Sequence, residues 1–345
     1  MSVTEGPGPA LLGGVGRALH DAKVSSMAST TALLHEDQPV RQRQRHVSAR
    51  RRNFLGDLVG VSPTLALYGA FIIIPTALAV YLSFTNWDVI SPPKWAGWSN
   101  WSRFLSDPLA HHSLIVTFEL AGFSWLAQTP LAMALGIFIA GRQRYRAVYA
   151  AIYLVPLLLS TAGLSLMWQD VLFPQYGGLA WLGHSLNMSF LSQNWLGSTS
   201  LAFYVIVAII AWQFIPFHTL IFQAGRRAIP GELYDAAAVD GANVRQTFWH
   251  VTLPQLRYSI VTSSTLVLVG SLTYFDIIYI LTLGGPGDTT RVLAMDMYNT
   301  GFVETEFGYA SAIAVILGVI GILVAITLVR LTGFGSMEGG QEGIW

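Results

Sequence analysis

The sequence predicts an all-α polytopic membrane protein with six transmembrane helices. Three observations favour this fold class: a high apolar content, a shortage of charge, and long apolar stretches. Of the 345 residues, 53% are hydrophobic and 11% are charged, and the mean hydropathy is +0.51. Soluble domains average about 25% charged residues. The composition therefore disfavours both a cytosolic globular enzyme and a disordered scaffold.

Six stretches are long and apolar enough to cross a membrane. A hydrocarbon core about 30 Å thick requires about 20 mostly apolar residues in each helix. These stretches are long enough for membrane-crossing helices, whereas a strand of a membrane β-barrel needs only about 10 residues. The predicted spans are residues 58–83, 113–140, 147–168, 199–224, 259–283 and 309–329.

The basic residues lie mostly on one side of these spans. Sixteen of the 19 Lys and Arg residues fall in the N-terminal tail, in the loops after the second and fourth spans, and beyond the last span. The alternate loops hold only Lys94, Arg103 and Arg291. This asymmetry predicts that both termini are cytoplasmic. The formal net charge is zero, so nucleic acid is not an expected partner.

The two ends of the chain are predicted to lie outside the membrane domain, which we place at residues 58–331. Residues 1–57 lack an apolar core before their arginines, so they are not a signal peptide. We expect a disordered tail whose basic run, residues 41–52, contacts anionic lipid headgroups. Residues 332–345 form a short cytoplasmic tail. The chain has no cysteine, which excludes disulfides and thiolate chemistry.

Tryptophan is concentrated on the side opposite the basic loops. Indole rings favour the membrane interface, so these residues predict an aromatic belt. A docking surface for an outside partner is the alternative for the cluster at residues 87–101. The tryptophans concerned are Trp87, Trp95, Trp98, Trp101, Trp168, Trp181 and Trp195.

The cytoplasmic segment 229–256 is patterned as two helices joined by a turn. Pro230 suits a first helical turn, and Glu232 and Asp235 place acids near the helix start, where the helix dipole favours them. Three alanines, residues 236–238, allow close approach to another surface. Amphipathic connectors on a bilayer usually carry Lys, Arg and large apolar residues instead. Docking to a protein therefore fits the segment better than a simple membrane connector.

A tight turn and a second helix complete the segment. The Asp240-Gly241 pair marks the turn, because glycine readily adopts positive φ. Val244, Phe248 and Val251 follow at helical spacing. Proline disfavours helix in the residue before it, so Leu253-Pro254 is expected to end the second helix.

This segment resembles the cytoplasmic EAA loop of ABC-importer permeases. The family pattern is Glu-Ala-Ala, two residues, Asp-Gly-Ala, a spacer, and an aliphatic residue followed by x-Leu-Pro. The sequence departs from it at Asp235, where glutamate is usual. We name residues 226–257 the coupling loop. The matching positions are Asp235, Ala236, Ala237, Asp240, Gly241, Ala242, Val251, Leu253 and Pro254, with Glu232 upstream.

Residues 281–290 and 306–317 are similar to the last outer loop and last helix of maltose/glycerol-phosphate-type carbohydrate permeases. The resemblance covers residues 58–331 and implies the type I ABC importer permease fold in a bacterial plasma membrane. It further implies five kinds of partner: a second permease subunit, two ABC ATPases, an extracytoplasmic sugar-binding protein, membrane lipid and a sugar. The resemblance also implies that Asp235 pairs with a basic residue of the ATPase and that Gly241 permits the turn.

No motif for covalent chemistry is present, so we expect no catalytic residues, no metal and no cofactor. A Walker A loop needs lysine after glycine. The only lysines, Lys23 and Lys94, follow alanine and proline. The nucleophile elbow and the zinc-protease motif are both missing.

Polar residues in the spans are candidates for a substrate path, because polar groups in a membrane are costly. Thr262, Thr265, Thr273, Asp276 and Tyr279 are predicted to share one face of the fifth span. Hydroxyls, a carboxylate and an aromatic ring suit a sugar. Structural pairing is the alternative role for each of them.

Trp212 and Gln213 in the fourth span form a weaker candidate set for the path. The rival function is a stand-alone secondary carrier that uses Asp276 and Glu119 as a proton relay. Such a carrier would need no ATPase, and the segment 229–256 would then be a linker.

Overall fold

A computed structural model describes residues 60–141, 148 and 151–332. Its contacts divide the chain into two units, residues 1–74 and 75–345. In the first unit, the described residues 60–74 are helical and largely exposed. The basic tail 1–57, the arginines of residues 142–146 and the chain from residue 333 onward lie outside the described residues. The predictions made for them remain predictions.

The described part is mostly helical. A long first helix, α1, contains a π-helical turn at Gly69–Ile73. A two-stranded hairpin follows it, and the remaining elements are helices. In chain order, the main elements are α1 (Gly60–Leu82), β1 (Thr85–Asn86), β2 (Lys94–Trp95), α2 (Ser99–Ser106), α3 (Pro108–Ile139), α4 (Ala151–Leu158), α5 (Thr161–Val171), α6 (Gly178–Ser185), α7 (Ala202–Ala228), α8 (Gly231–Val239), α9 (Val244–Thr247), α10 (Arg257–Ser271), α11 (Asp276–Leu281), α12 (Leu293–Tyr298) and α13 (Phe307–Thr332). Four short helical segments add to these: Ser189–Ser192, Phe248–Thr252, Leu253–Gln255 and Asn299–Val303.

Helices α3 and α7 form the central packed pair of the second unit. They approach closely because α3 carries Gly136 at the contact. A Cβ atom there would lie 2.6 Å from the Cβ of Phe222, a fully buried residue of α7. The main apolar cluster gathers around this pair and includes Leu120 of α3 and Ile206 and Ile210 of α7. For helices in a membrane the alternative to this contact is lipid, so close van der Waals packing stabilises the pair.

Four helices in the described part are long and apolar enough to cross a membrane: α1, α3, α7 and α13. They correspond to the first, second, fourth and sixth predicted spans. The third predicted span, 147–168, is instead a helix pair, α4 and α5, bent by 102°. Ser160 lies at the bend in an extended conformation, and its side chain caps α5 by accepting from the Gly163 amide. Because this cap starts a new helix at Thr161, the predicted continuous helix is interrupted here.

The fifth predicted span, 259–283, is not one continuous helix. Helix α10 ends at Ser271, and α11 begins at Asp276. Thr273 Oγ1 donates to the carbonyl of Gly270 at 2.9 Å. Glycine weakens a helix, and side-chain bonds to the backbone compete with helical ones, so the chain leaves the helix here. The prediction that Thr262, Thr265, Thr273, Asp276 and Tyr279 share one helical face is therefore wrong.

A compact segment, residues 83–107, joins α1 to α3. The hairpin pairs Thr85 with Trp95. Asn100 Nδ2 donates to the carbonyls of Ser83 and Thr85 at 2.9 and 2.8 Å. Asp107 then caps α3, because its carboxylate accepts from the amides of Leu109 and Ala110. The segment is held by these bonds to backbone groups and by contacts with the start of α13, among them the ion pair of Arg103 with Glu306.

The predicted tryptophan belt is only partly matched by side-chain exposure. Trp95, Trp98 and Trp181 are exposed, as an interfacial role requires. Trp168 and Trp195 instead pack against the main apolar cluster. These two residues are half-buried, and the belt remains a prediction. Their rings fill the space beside α7, so they contribute to packing.

Candidate functional site

The coupling loop is a helical hairpin whose apex lies at Gly241. Helix α8 covers most of the Glu-Ala-Ala-like half of the motif, and Asp240 is its C-cap residue. Gly241 has φ +73°, and no atom lies within 4 Å of the place where its Cβ would be. Glycine is needed there for backbone conformation, because the surrounding space is open. This agrees with the turn expected from the Asp240-Gly241 pair.

The return half of the loop begins with a capping box. The Asn243 side chain accepts from the Gln246 amide, and the Gln246 side chain accepts from the Asn243 amide, which starts α9. A π-helical turn, Phe248–Thr252, comes next. The helical segment Leu253–Gln255 then follows, with Pro254 in its first turn. The expectation that Leu253-Pro254 ends the helix is therefore corrected. Proline lacks an amide hydrogen and is accommodated where a helical segment begins.

Tyr234 connects the two halves of the loop to each other and to α7. Its hydroxyl lies 3.1 Å from Thr252 Oγ1 at the end of the π-helical turn. The guanidinium of Arg226, in the last turn of α7, lies 4.0 Å from the centre of the Tyr234 ring. The loop is therefore braced at its base. The sequence patterns gave no sign of these two contacts.

The apex of the loop presents apolar and acidic groups together. Val239 and Val244, on either side of the turn, are each 88% exposed. Glu232, Asp235 and Asp240 are also exposed, as are Ala236 and Pro254. Ala237, Ala242 and Leu253 are half-buried. Large exposed apolar side chains rimmed by polar ones are typical of a protein interaction site. The two valines were not among the predicted site residues.

The candidate path residues of the fifth predicted span lie around the break between α10 and α11. Thr273 and Asp276 are exposed, and Tyr279 is half-buried. The Tyr279 ring centre lies 5.2 Å from those of both Phe275 and Tyr298. Tyr298 in turn stacks on Phe302 at 5.2 Å. We name Phe275, Tyr279, Tyr298 and Phe302 the aromatic cluster. Of its four members, only Tyr279 was among the predicted site residues.

The other threonines of that span bond to their own helix or lie apart from the break. Thr265 Oγ1 donates to the carbonyl of Val261 at 2.9 Å. Membrane threonines often make this bond, which satisfies the hydroxyl without any substrate. Thr262 lies on α10 and is half-buried. The break removes these two residues from any common helical face with Asp276.

Trp212 and Gln213 lie on α7 and contact α5. The ring of Trp212 meets that of Trp168 edge-on at 5.4 Å. Gln213 is buried, and its Nε2 donates to Thr161 Oγ1 at 3.3 Å. These contacts hold α5 against α7. They do not bring the pair to Thr273, Asp276 or Tyr279, so the two candidate sets form separate groups.

A buried ion pair fixes the loop that follows α11. Arg291 Nη2 lies 2.7 Å from Asp296 Oδ1, and Arg291 Nε donates to the same oxygen at 3.0 Å. Burial raises the pKa of Asp296 above its usual value, although Arg291 opposes that change. The amide of Leu293 donates to Thr117 Oγ1 of α3 at 2.8 Å. These contacts anchor α12, which carries Tyr298 of the aromatic cluster.

Membrane-crossing helices, a broken helix lined by polar and aromatic groups, and an exposed braced loop define the membrane subunit of a transporter. No group of three or more metal-ligating side chains occurs among residues 60–141, 148 and 151–332. The chain belongs to the family of binding-protein-dependent transport system inner membrane components, whose model matches residues 129–332. It is therefore a permease subunit of an ABC importer, and ATP hydrolysis belongs to a separate subunit.

Two relatives have similar sequences over most of their length. The trehalose/maltose transport system permease protein MalF of Thermococcus litoralis is 33% identical over 275 residues, which cover 79% of this chain and 90% of that protein. The multiple sugar-binding transport system permease protein MsmF of Streptococcus mutans is 32% identical over 273 residues, covering 78% and 92%. The predicted family is confirmed.

The fold is also that of a solved importer. A chain in the crystal structure of a bacterial ABC transporter involved in the import of the acidic polysaccharide alginate superposes with a TM-score of 0.72. It is 19% identical, and the match covers 84% of this chain and 98% of that one. The predicted permease fold is thereby confirmed. The family description, an inner membrane component, supports a membrane location. The family assignment also replaces the rival interpretation as a stand-alone proton-coupled carrier.

Proposed function

We propose that this subunit forms half of the path by which a sugar or related polar solute enters a bacterial cell. A second permease subunit completes the path, two ABC ATPases bind the coupling loops, and an extracytoplasmic sugar-binding protein delivers the solute. The names of the relatives support a sugar: trehalose or maltose in Thermococcus litoralis, multiple sugars in Streptococcus mutans, and diacetylchitobiose in Streptomyces coelicolor.

The exposed apex of the coupling loop is the observation that carries this proposal. Two valines that are each 88% exposed at a tight turn are not expected in a simple linker, because large exposed apolar side chains are typical of an interaction site. In contact with an ATPase, the valines would leave water, and the small side chains of Ala236 and Ala237 would permit close approach. Glu232, Asp235 and Asp240 would then face basic residues of the ATPase. The loop would transmit closure of the ATPases as a rigid-body movement.

The orientation of the chain follows from this role. ATPases bind from the cytoplasm, so the coupling loop must lie there. The sixteen basic residues in the tails and in the loops of the same side support that orientation. We therefore place both termini, including residues 1–57 and 332–345, in the cytoplasm, and the segment 83–107 outside.

The solute path is proposed to pass the break between α10 and α11. Exposed Thr273 and Asp276 lie beside the aromatic cluster, so polar and ring groups occur together. Hydroxyl-rich solutes are bound by such combinations, since carboxylates accept their hydrogen bonds and aromatic faces cover their apolar faces. Trp212 and Gln213 would border the path only where α5 and α7 face the partner permease.

Co-purification of the ATPase tests the coupling role. The chain would be expressed with its partner subunits as wild type, Gly241→Asp and Asn243→Asp. The Gly241 change adds a side chain and a charge at the apex. The Asn243 change adds the same charge two residues away but keeps a good N-cap for α9. We expect the ATPase to be lost only in Gly241→Asp, with all three chains inserted equally. Equal retention by Gly241→Asp would contradict the proposal.

A further inference from the structure

A cleft at the base of the coupling loop is not explained by ATPase docking. It has a volume of about 800 Å³ and lies between the ends of α3 and α7 and the start of α8. Arg226 and Arg227 line it, as do Ile137, Ala140 and Ile229. The cleft thus combines two neighbouring cations with an apolar wall. It lies where two membrane-crossing helices end.

The arginines of this cleft are available to an anion. Within residues 60–141, 148 and 151–332, neither Arg226 nor Arg227 forms an ion pair. The Tyr234 ring, rather than a carboxylate, holds the guanidinium of Arg226 in place. Stacking on a ring orients a guanidinium while leaving its N–H groups free to donate. One acid, Asp235, also lines the cleft, so the two arginines outnumber it.

The start of α8 adds to the attraction. Its N-cap residue is Pro230, which provides no side-chain acceptor for the amides of the first turn. Helix N-termini favour negative charge, particularly where their amides are uncapped. Both Pro230 and the helix's first residue, Gly231, lie on the wall of the cleft. Two arginines and one helix start therefore converge on the same space.

From this geometry, we propose that the cleft binds the phosphate of an anionic phospholipid of the cytoplasmic leaflet. Arg226 and Arg227 hold the phosphate, and the glycerol and upper acyl chain contact Ile137 and Ala140. Basic pockets between membrane helices on the cytoplasmic side bind such headgroups. A soluble phosphate would make the same polar contacts, but it has no apolar part that could contact Ile137 and Ala140. The proposal rests on the orientation given under the proposed function.

Lipid retention tests the site in the assembled transporter. The complete complex would be extracted from membranes of phosphatidylcholine and phosphatidylglycerol in equal amounts, and the lipid kept by the permease would be measured by native mass spectrometry. The variants are Arg226→Gln with Arg227→Gln, the same pair changed to Lys, and Arg245→Gln. Arg245 is an exposed arginine on α9 that does not line the cleft. It serves as the matched control for loss of charge.

We expect the glutamine pair to lower the affinity for phosphatidylglycerol by about thirtyfold, equivalent to about 2 kcal/mol for two cations. The lysine pair and Arg245→Gln should retain the lipid. Wild-type retention of phosphatidylglycerol by the glutamine pair would overturn the proposal. Displacement of the lipid by inorganic phosphate would overturn the lipid assignment. ATPase retention, measured in the same samples, reports separately on the proposed coupling function.

Discussion

The hydroxyl of Tyr234 lies 3.1 Å from Thr252 Oγ1, which joins the outgoing and returning halves of the coupling loop. The same ring carries the guanidinium of Arg226 at the end of α7. In the proposed coupling role, a force applied at the Gly241 apex would therefore be passed to a membrane-crossing helix through a braced base.

Removal of the brace is expected to uncouple the ATPase from transport. Tyr234→Phe loses the hydrogen bond but keeps the ring beneath Arg226, whereas Tyr234→Ala loses both contacts. A hydrogen bond contributes about 0.5–1.5 kcal/mol and a cation–π contact about 0.5–1 kcal/mol at exposed sites. We expect binding-protein-stimulated ATP hydrolysis to fall modestly in the first variant and further in the second. Equal activity in wild type and Tyr234→Ala would refute the brace.

The carboxylate of Asp276 is expected to matter for the solute and not for the ATPase. Asp276→Leu should raise the KM for uptake in proteoliposomes, because the exposed group at the break can no longer accept hydrogen bonds. Asp276→Asn should keep part of the affinity. The matched control is Glu119→Gln, which removes an exposed acid of α3. A purely structural Asp276 would instead lower the amount of assembled complex and leave the KM unchanged.

Gly136 is expected to be essential for packing α3 against α7. Gly136→Ala places a Cβ atom 2.6 Å from the Cβ of Phe222 and 2.9 Å from the carbonyl oxygen of Thr219. Such overpacking costs about 1–3 kcal/mol. Gly122→Ala in the same helix meets nothing within 4 Å. It should be neutral or slightly stabilising, because alanine favours helix over glycine. Thermal unfolding of the purified complex would compare them, and equal melting temperatures would refute the close approach.

Asp107 is expected to stabilise the start of α3 in a pH-dependent manner. Burial raises its pKa, but hydrogen bonds from Tyr309 and from the amides of Leu109 and Ala110 outweigh burial, so the pKa lies below its usual value. A carboxylate of depressed pKa stabilises the fold above its unfolded pKa, about 3.9, and that contribution is lost as pH falls through the folded value. The wild type should therefore lose its advantage over Asp107→Asn progressively as the pH falls below about 3.9 and through the lower pKa of the folded state.

An alanine variant separates the cap from the charge at this position. The amide side chain introduced by Asp107→Asn would still cap the helix, whereas Asp107→Ala should cost about 1 kcal/mol even at neutral pH. Melting temperatures across the pH range would measure both effects. A constant difference between wild type and Asp107→Asn at every pH would show that the charge contributes nothing.

Much of the fold followed from apolar length alone. The spans at α1, α3, α7 and α13 could be predicted because each of these helices is one long, uninterrupted apolar stretch of sequence. The bends at Ser160 and after Ser271 were missed, since each depends on a local bond between a side chain and the backbone. Such bonds compete with helix formation at a few residues and leave the hydropathy profile unchanged.

The coupling loop was located from its motif, and the positive φ of Gly241 agrees with the predicted turn. The brace at Tyr234 and the cleft at Arg226 were not predicted, because both depend on contacts between separate elements. The break in the fifth span also separated Thr265 from Asp276, which helical spacing alone had put on one face. Residue types therefore identified the loop, but three-dimensional contacts were required to show how its two halves are held together.

Solute uptake into proteoliposomes tests the central claim most directly. The complete transporter would be supplied with its binding protein and a candidate sugar, with ATP inside the vesicles or with an imposed proton gradient and no ATP. We predict uptake only with ATP, and its loss in Gly241→Asp while Asn243→Asp remains active. Uptake driven by the proton gradient without ATP, and unaffected by Gly241→Asp, would contradict the account of this chain as an ATPase-coupled permease.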